Sequence, residues 1–315
     1  MIPLTDIEAA AGRIAPYVLT TPTATSSTLS DELGTNVVLK LELLQKTGSF
    51  KPRGAVNQLL AYEHRAGGVV GISGGNFAQG LAYAAGRLDV PARIVMPETT
   101  PANYLDATRG YGADVELTPT IADAFVRYDE LVAEGWGPMH PFDNQNMMAG
   151  NGTLGLELLE QVPDVTDVII SIGGGGFMAG VTSAMKGSNP DIRVWGVETD
   201  GADVMARSLA AGSPQTMTPT SIAKTLGSPY AGEKPFEIAR DQLEQVVVVP
   251  DEEAVRAMTF LFERAKLVAE PAAACTLAAA RALRGRFDPD GSLVLILCGG
   301  NLSVADLCAF TARFS

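Results

Sequence analysis

Long apolar runs recur along this chain, and they limit its fold more than any other feature. Val168-Ile169-Ile170-Ser171, Val194-Trp195-Gly196-Val197, Val246-Val247-Val248-Val249 and Leu293-Val294-Leu295-Ile296-Leu297 lack the alternation of a strand with one wet face. Strands apolar on both sides need cover on both sides, which helices supply in parallel sheets. Spacing predicts those helices over 153–161, 177–186, 251–267 and 271–283. An earlier series has strands at 37–44, 69–72, 93–96 and 114–117, with helices over 77–88, 103–110 and 121–134. Alternation of this kind is the mark of an α/β protein with largely parallel sheets. At 315 residues the chain exceeds one core of average size, so one large domain or two lobes is expected. The least structured stretch is 208–234, rich in Pro, Gly, Ser and Thr.

Charge and residue counts remove several classes of function. Lys and Arg number 23 against 36 Asp and Glu, a formal charge of −13, which argues against a nucleic-acid partner. The cysteines are three, Cys275, Cys298 and Cys308, without zinc or disulfide spacing. A reducing cytoplasm is the expected setting; no signal peptide or membrane-length apolar run is visible. His64 and His140 are the only histidines, which excludes a His-rich metal centre and disfavours a Ser-His-Asp hydrolase. Lysine is then the leading candidate base.

The lysine that stands out is Lys51, in Lys46-Thr47-Gly48-Ser49-Phe50-Lys51-Pro52-Arg53-Gly54. It lies between an apolar run and the first turns of a helix. Pro52 suits the first turn, where its missing N–H has no partner to lose. Taken alone, Lys51 reads more readily as a surface lysine, as most lysines are.

Three small-residue loops give it company. Ser73-Gly74-Gly75-Asn76-Phe77 follows a strand and opens a helix, a ready site for a substrate carboxylate. Gly173, Gly174, Gly175 and Gly176, followed by Phe177, suit close backbone approach to a phosphate. A dinucleotide fingerprint competes: Gly174-x-Gly176-x-x-Ala179 fits its loose form, and Glu198 ends the next strand. That alternative, an NAD-dependent oxidoreductase, leaves Lys51 and Asn76 without a role. Cys298-Gly299-Gly300-Asn301 follows the last strand. All three loops sit at carboxyl ends of strands, where open α/β sheets bind ligands.

Together these segments, with His140-Pro141-Phe142-Asp143, Gly150-Asn151-Gly152-Thr153 and Glu270-Pro271, resemble the fold type II pyridoxal-phosphate enzymes. The likeness is to the threonine/serine dehydratase (ammonia-lyase) and serine racemase group. It implies a two-lobed, tryptophan synthase β-like α/β fold, each lobe a mostly parallel sheet flanked by helices. The large cofactor-binding domain would be 1–67 and 145–315, and the small substrate-side domain 68–144. Because the chain stops soon after the last motif, a form without an appended regulatory domain is expected. The resemblance further implies that Lys51 holds pyridoxal 5'-phosphate as a Schiff base and that Phe50 packs near its ring. Gly173, Gly174, Gly175, Gly176 and Phe177 would surround its phosphate, and Asn76 would bond its phenolic oxygen. Cys298 would face the ring nitrogen with Glu270 nearby. Ser73, Gly74, Gly75, Asn76 and Phe77 would take the substrate. The implied activity is β-elimination from a β-hydroxy amino acid, L-threonine or L-serine by default, giving a 2-oxo acid and ammonia. Relatives of this kind are often homodimers.

The chain departs from the family pattern in four places. Gly74 stands where racemases carry a serine acid/base, which disfavours racemisation, and Phe77 stands where dehydratases usually have histidine. Lys224 replaces an expected acid; it fits an acidic substrate such as 3-hydroxyaspartate, or is a lysine facing solvent. The divalent-cation site of some relatives would draw on Glu198 and Ala202, but Val204 takes the place of its second acid, so no metal is expected. Phenylserine dehydratase, racemase and β-replacement activities remain alternatives.

Overall fold

The computed structural model describes residues 1–64 and 67–314. In chain order the strands are β1 (Thr23–Thr25), β2 (Asn36–Lys40), β3 (Val69–Ile72), β4 (Ala92–Pro97), β5 (Asp114–Thr118), β6 (Gly137–Pro138), β7 (Val165–Ser171), β8 (Arg193–Thr199), β9 (Gln245–Val249) and β10 (Ser292–Ile296). The helices are α1 (Leu4–Ile14), α2 (Ser27–Leu33), α3 (Lys51–Ala61), α4 (Asn76–Arg87), α5 (Ala102–Gly110), α6 (Ile121–Ala133), α7 (Gln145–Gln161), α8 (Gly176–Ser188), α9 (Val204–Ala211), α10 (Glu233–Gln242), α11 (Asp251–Phe260), α12 (Pro271–Ala282) and α13 (Val304–Arg313). One sheet has the order β1-β2-β10-β7-β8-β9 and the other β5-β4-β3-β6. Every pairing is parallel except β1 with β2.

The apolar runs are the reason for this arrangement. β10 is buried at every residue, and so is β7 apart from Thr166, so each must lie inside a sheet with helices on both faces. Hydrophobic cores form on both sides of the smaller sheet. The core behind α4 also takes Ala55, Val56 and Leu59 from α3, so the lysine-bearing helix is wedged against the smaller sheet's layer. Its other side meets α7, where a Cβ on Gly150 would strike the carbonyl of Arg53. A Cβ on Gly180 of α8 would strike the carbonyl of Met148 in the same way. Glycine is what lets α3, α7 and α8 touch at backbone distance.

Several sequence expectations change. The run 37–44 leaves the strand at Lys40 and makes a 3-10 turn over Glu42–Leu44. Buried charge is the cause. The wholly buried Arg53 holds both Glu42 oxygens at 2.8 Å and both Glu157 oxygens at 2.7 and 2.9 Å. Lys40 Nζ adds a bond to Glu157 at 2.9 Å. Drawing Glu42 inward turns the chain out of the sheet and clamps α3 two residues beyond Lys51. The helix expected at 153–161 starts at Gln145, capped by Asn144, because its glycines serve packing and do not break it. The helix expected over 251–267 is α-helical to Phe260, then forms a π turn over Leu261–Ala265. The stretch 208–234 begins within α9, holds one 3-10 turn at Lys224–Leu226, and ends at the start of α10.

Candidate active site

Lys51 is the first residue of α3, with Pro52 second. The turn before it is stitched to the end of β10: Phe50 N–H donates to the Cys298 carbonyl at 3.0 Å, and Gly300 N–H to the Gly48 carbonyl at 2.9 Å. Lys51 Nζ donates to the Pro141 carbonyl at 3.1 Å and lies 5.0 Å from the Phe50 ring centre and 5.7 Å from that of Phe77. Burial lowers its pKa to about 8, against the pull of Cys298 and Glu270.

Two helix N-termini face this region. α8 opens at Gly176, and its N-cap Gly175 (φ 93°) gives no side-chain bond to the first-turn amides. A Cβ on Gly174 or Gly176 would collide with Phe142, so the loop stays bare because nothing else fits. The turn carrying Phe142 is held by His140, whose Nδ1 accepts from the N–H groups of Phe142 and Asp143 at 3.2 and 2.8 Å. α4 opens in the same way behind Gly75, again without a side-chain cap. Uncapped N-termini carry unpaired N–H groups and favour anions. Phe50 and Phe177 stack at 3.8 Å between the lysine and the α8 loop.

Opposite lies a buried polar group. Asn76 Nδ2 donates to Glu270 Oε1 at 2.8 Å, and Thr225 Oγ1 donates to the same oxygen at 3.1 Å. Glu270 Oε2 has no hydrogen bond. Burial raises the Glu270 carboxyl to about 7. Cys298 Sγ lies 3.3 Å from Ser171 Oγ, and burial pushes its thiol up to about 12. Asn301 Nδ2 donates to Asn76 Oδ1 and to the Thr47 carbonyl, each at 2.8 Å. Tyr104 OH donates to the Asn301 carbonyl at 2.8 Å.

Phe50, Lys51, Asn76, Phe77, the four glycines, Phe177, Glu270 and Cys298 thus come to one place from both sheets. Ser73, Gly74 and Gly75 form the partly open loop before α4, with Ser73 Oγ accepting from Gly75 N–H at 3.1 Å. A Cβ on Gly74 would lie 2.7 Å from Thr100 Oγ1, a buried hydroxyl with no partner. Lys224 is exposed, so it faces solvent, and its neighbour Thr225 reaches the site. Sequence reasoning missed Thr225, Tyr104, Thr100 and Ser171. Asn301 was visible only as the end of a loop motif. Glu198 is buried against the start of α9, accepting from Met205 and Ala206 N–H at 2.9 and 2.7 Å. Val204 is buried and Asp203 pairs with Arg207. Among the described residues no group of three or more metal-ligating side chains occurs.

Fold and site define a fold type II pyridoxal-phosphate enzyme. Residues 14–299 match the family described as pyridoxal-phosphate dependent enzyme, and the chain belongs to it. The chain is 40% identical over 311 residues to the L-threonine ammonia-lyase of Thermotoga maritima, covering 96% of this chain and 77% of that one. It is 41% identical over 311 residues to the phenylserine dehydratase of Ralstonia pickettii, covering 96% and 95%. The structure of maize serine racemase superposes with a TM-score of 0.93 at 34% identity, over 98% and 97% of the two chains. The dinucleotide alternative lapses with this assignment; Glu198 serves α9. The residues present suit the cofactor: a desolvated amine, a bare helix N-terminus for a phosphate, and a thiol at a strand end.

Proposed function

We propose that this protein is a lyase that eliminates the β-hydroxyl of a β-hydroxy amino acid, L-threonine or L-serine, as water, and that hydrolysis of the enamine then gives a 2-oxo acid and ammonia. The observation that carries the reading is Lys51, an amine whose pKa burial brings down to about 8, on a helix start fixed by Arg53. Lys51 Nζ would hold the cofactor, and the amides of Gly173, Gly174, Gly175 and Gly176 at the α8 N-terminus would hold its phosphate. Phe50 and Phe177 would pack near the ring, and Asn76 would donate to its phenolic oxygen. Pyridoxal phosphate, when bound, supplies the electron sink that acidifies the substrate Cα–H. Ser73 and the loop amides through Phe77 would orient the substrate carboxylate at the α4 N-terminus. Lys51 Nζ, displaced by the substrate amine, would take the Cα proton. The β-hydroxyl then departs with a proton as water, and the released enamine hydrolyses to the 2-oxo acid and ammonia. Cys298, held as a thiol, is a weak donor toward the ring nitrogen. This suits elimination, in which the leaving group relieves the carbanion.

Racemisation needs a proton donor on the face opposite Lys51, and Gly74 offers none. A second reading, an aryl β-substituent as in phenylserine, is favoured by Phe77, buried beside Lys51 where Gly71 leaves room for its ring. The two-lobe division at 67/68 and 144/145, a cytoplasmic location and a homodimer belong to the same proposal. The cytoplasm is supported by three free cysteines. A homodimer is supported by exposed Leu44, Phe262, Val268 and Val304 on the larger sheet's layer. The test is release of 2-oxo acid and ammonia by cofactor-loaded enzyme from L-serine, D-serine, L-threonine, threo-3-hydroxyaspartate and phenylserine. Equimolar products from L-threonine or L-serine support the main reading. Release from phenylserine alone moves the substrate, and release from none contradicts elimination.

A further inference from the structure

The side-chain amide of Asn76 is turned in one direction, and the direction is set by groups outside its own loop. The reference point is the carbonyl of Thr47, which can only accept. Thr47 (φ 65°) and Gly48 (φ 69°) are both in the left-handed region, which strains a β-branched threonine. That turn gives the Thr47 carbonyl to Asn301 and the Gly48 carbonyl to Gly300. A Cβ on Gly48 would lie 2.5 Å from Asn301 Oδ1, so glycine is required for Asn301 to sit there. Asn301 Nδ2 has two hydrogens and uses both, on Thr47 O and on Asn76 Oδ1. With its oxygen committed to Asn301, Asn76 must present Nδ2 to Glu270. One N–H of that nitrogen is then used, and one is left over.

We propose that Asn301 is a positioning residue. It carries the polarity of the Thr47 carbonyl to Asn76 and so reserves the second Asn76 N–H for the cofactor's phenolic oxygen. The proposal rests on the reading that Asn76 contacts the cofactor. It also accounts for the strained Thr47, whose backbone sets the direction of a side chain 29 positions along the sequence.

The experiment uses the full chain and compares Asn76→Ala, Asn301→Asp, Glu270→Gln and the Asn301→Asp/Glu270→Gln pair. Two quantities are read: the Kd for pyridoxal phosphate by equilibrium dialysis, and the Tm of the cofactor-free protein. An aspartate in place of Asn301 cannot donate, so Asn76 turns over and offers Nδ2 to it. Asn76→Ala and Asn301→Asp are each expected to weaken cofactor binding about tenfold, the share of one hydrogen bond to a charged group. In the pair, the amide introduced by Glu270→Gln can donate to the reversed Asn76 oxygen. Tm is then expected to recover toward that of Glu270→Gln, while cofactor affinity stays about tenfold below it. Affinity that recovers together with Tm would make Asn301 a packing residue and overturn the proposal. So would an Asn301→Asp protein that binds cofactor like the wild type while Asn76→Ala does not. An unchanged Kd in Asn76→Ala would remove the Asn76 reading and this inference with it.

Discussion

At the scale of single residues, burial tunes Lys51. In the proposed role, its amine would take up the cofactor aldehyde only when neutral. With a pKa of about 8, the attachment rate in the cofactor-free protein is expected to fall about tenfold for each pH unit below 8 and to level off above it. Stopped-flow absorbance across pH 6 to 10 checks this. A rate still rising about tenfold per unit up to pH 10 would show an amine with no desolvation. Gly74 supplies a second residue-scale prediction. Serine there meets Thr100 Oγ1, so Gly74→Ser is expected to lower kcat/KM at least about tenfold, and adding Thr100→Ala to restore much of it. Equal activity in both variants would mean that Thr100 does not fill that space.

At the scale of elements, α3 is held from both sides. Arg53 is wholly buried between Glu42 and Glu157, and removing it leaves the buried Glu42 without its ion pair, while Glu157 keeps only Lys40. Arg53→Met is expected to lose about 3–5 kcal/mol in urea unfolding. A loss under about 1 kcal/mol would show that the cluster is hydrated or dispensable. This element also marks how far sequence can be read. The alternation of apolar runs with helices revealed both sheets, and the Gly-rich loops revealed which strand ends face the site. The motif around Lys51 placed the lysine at a helix start. The fate of 41–44 was not legible, because it depends on an arginine and a glutamate distant in sequence. The expected helix at 153–161 left out Gly150 and Gly152; the use of these two and of Gly155 is contact with α3, α1 and α8, which only the assembled fold supplies. Tyr104 and Thr225 gave no signal, since polar residues of a helix and a loop look alike whether or not they point inward. Lys224 stands out over Thr225 because charge is visible in a sequence and orientation is not.

At the scale of the whole molecule, two buried carboxylates tie stability to pH. Burial raises Glu270 to about 7 and Glu198 to about 8, whereas both titrate near 4.5 in an unfolded chain. Between these values the folded protein holds more protons, so stability is greatest below about pH 4.5 for these two groups and is lost as pH rises toward 8. The Tm of the cofactor-free protein should therefore fall from pH 5 to pH 8 by calorimetry, and Glu198→Gln should flatten the slope. A slope unchanged by the substitution would place the titration elsewhere. Both sheets, the clamped α3 and the two bare helix N-termini converge on one amine, so the most direct test reads that amine. Cofactor-loaded protein is reduced with borohydride, digested and mapped by mass spectrometry. One pyridoxyl group per chain is expected, on the peptide containing Lys51. An adduct on another lysine, or none in protein that has taken up cofactor, would contradict it.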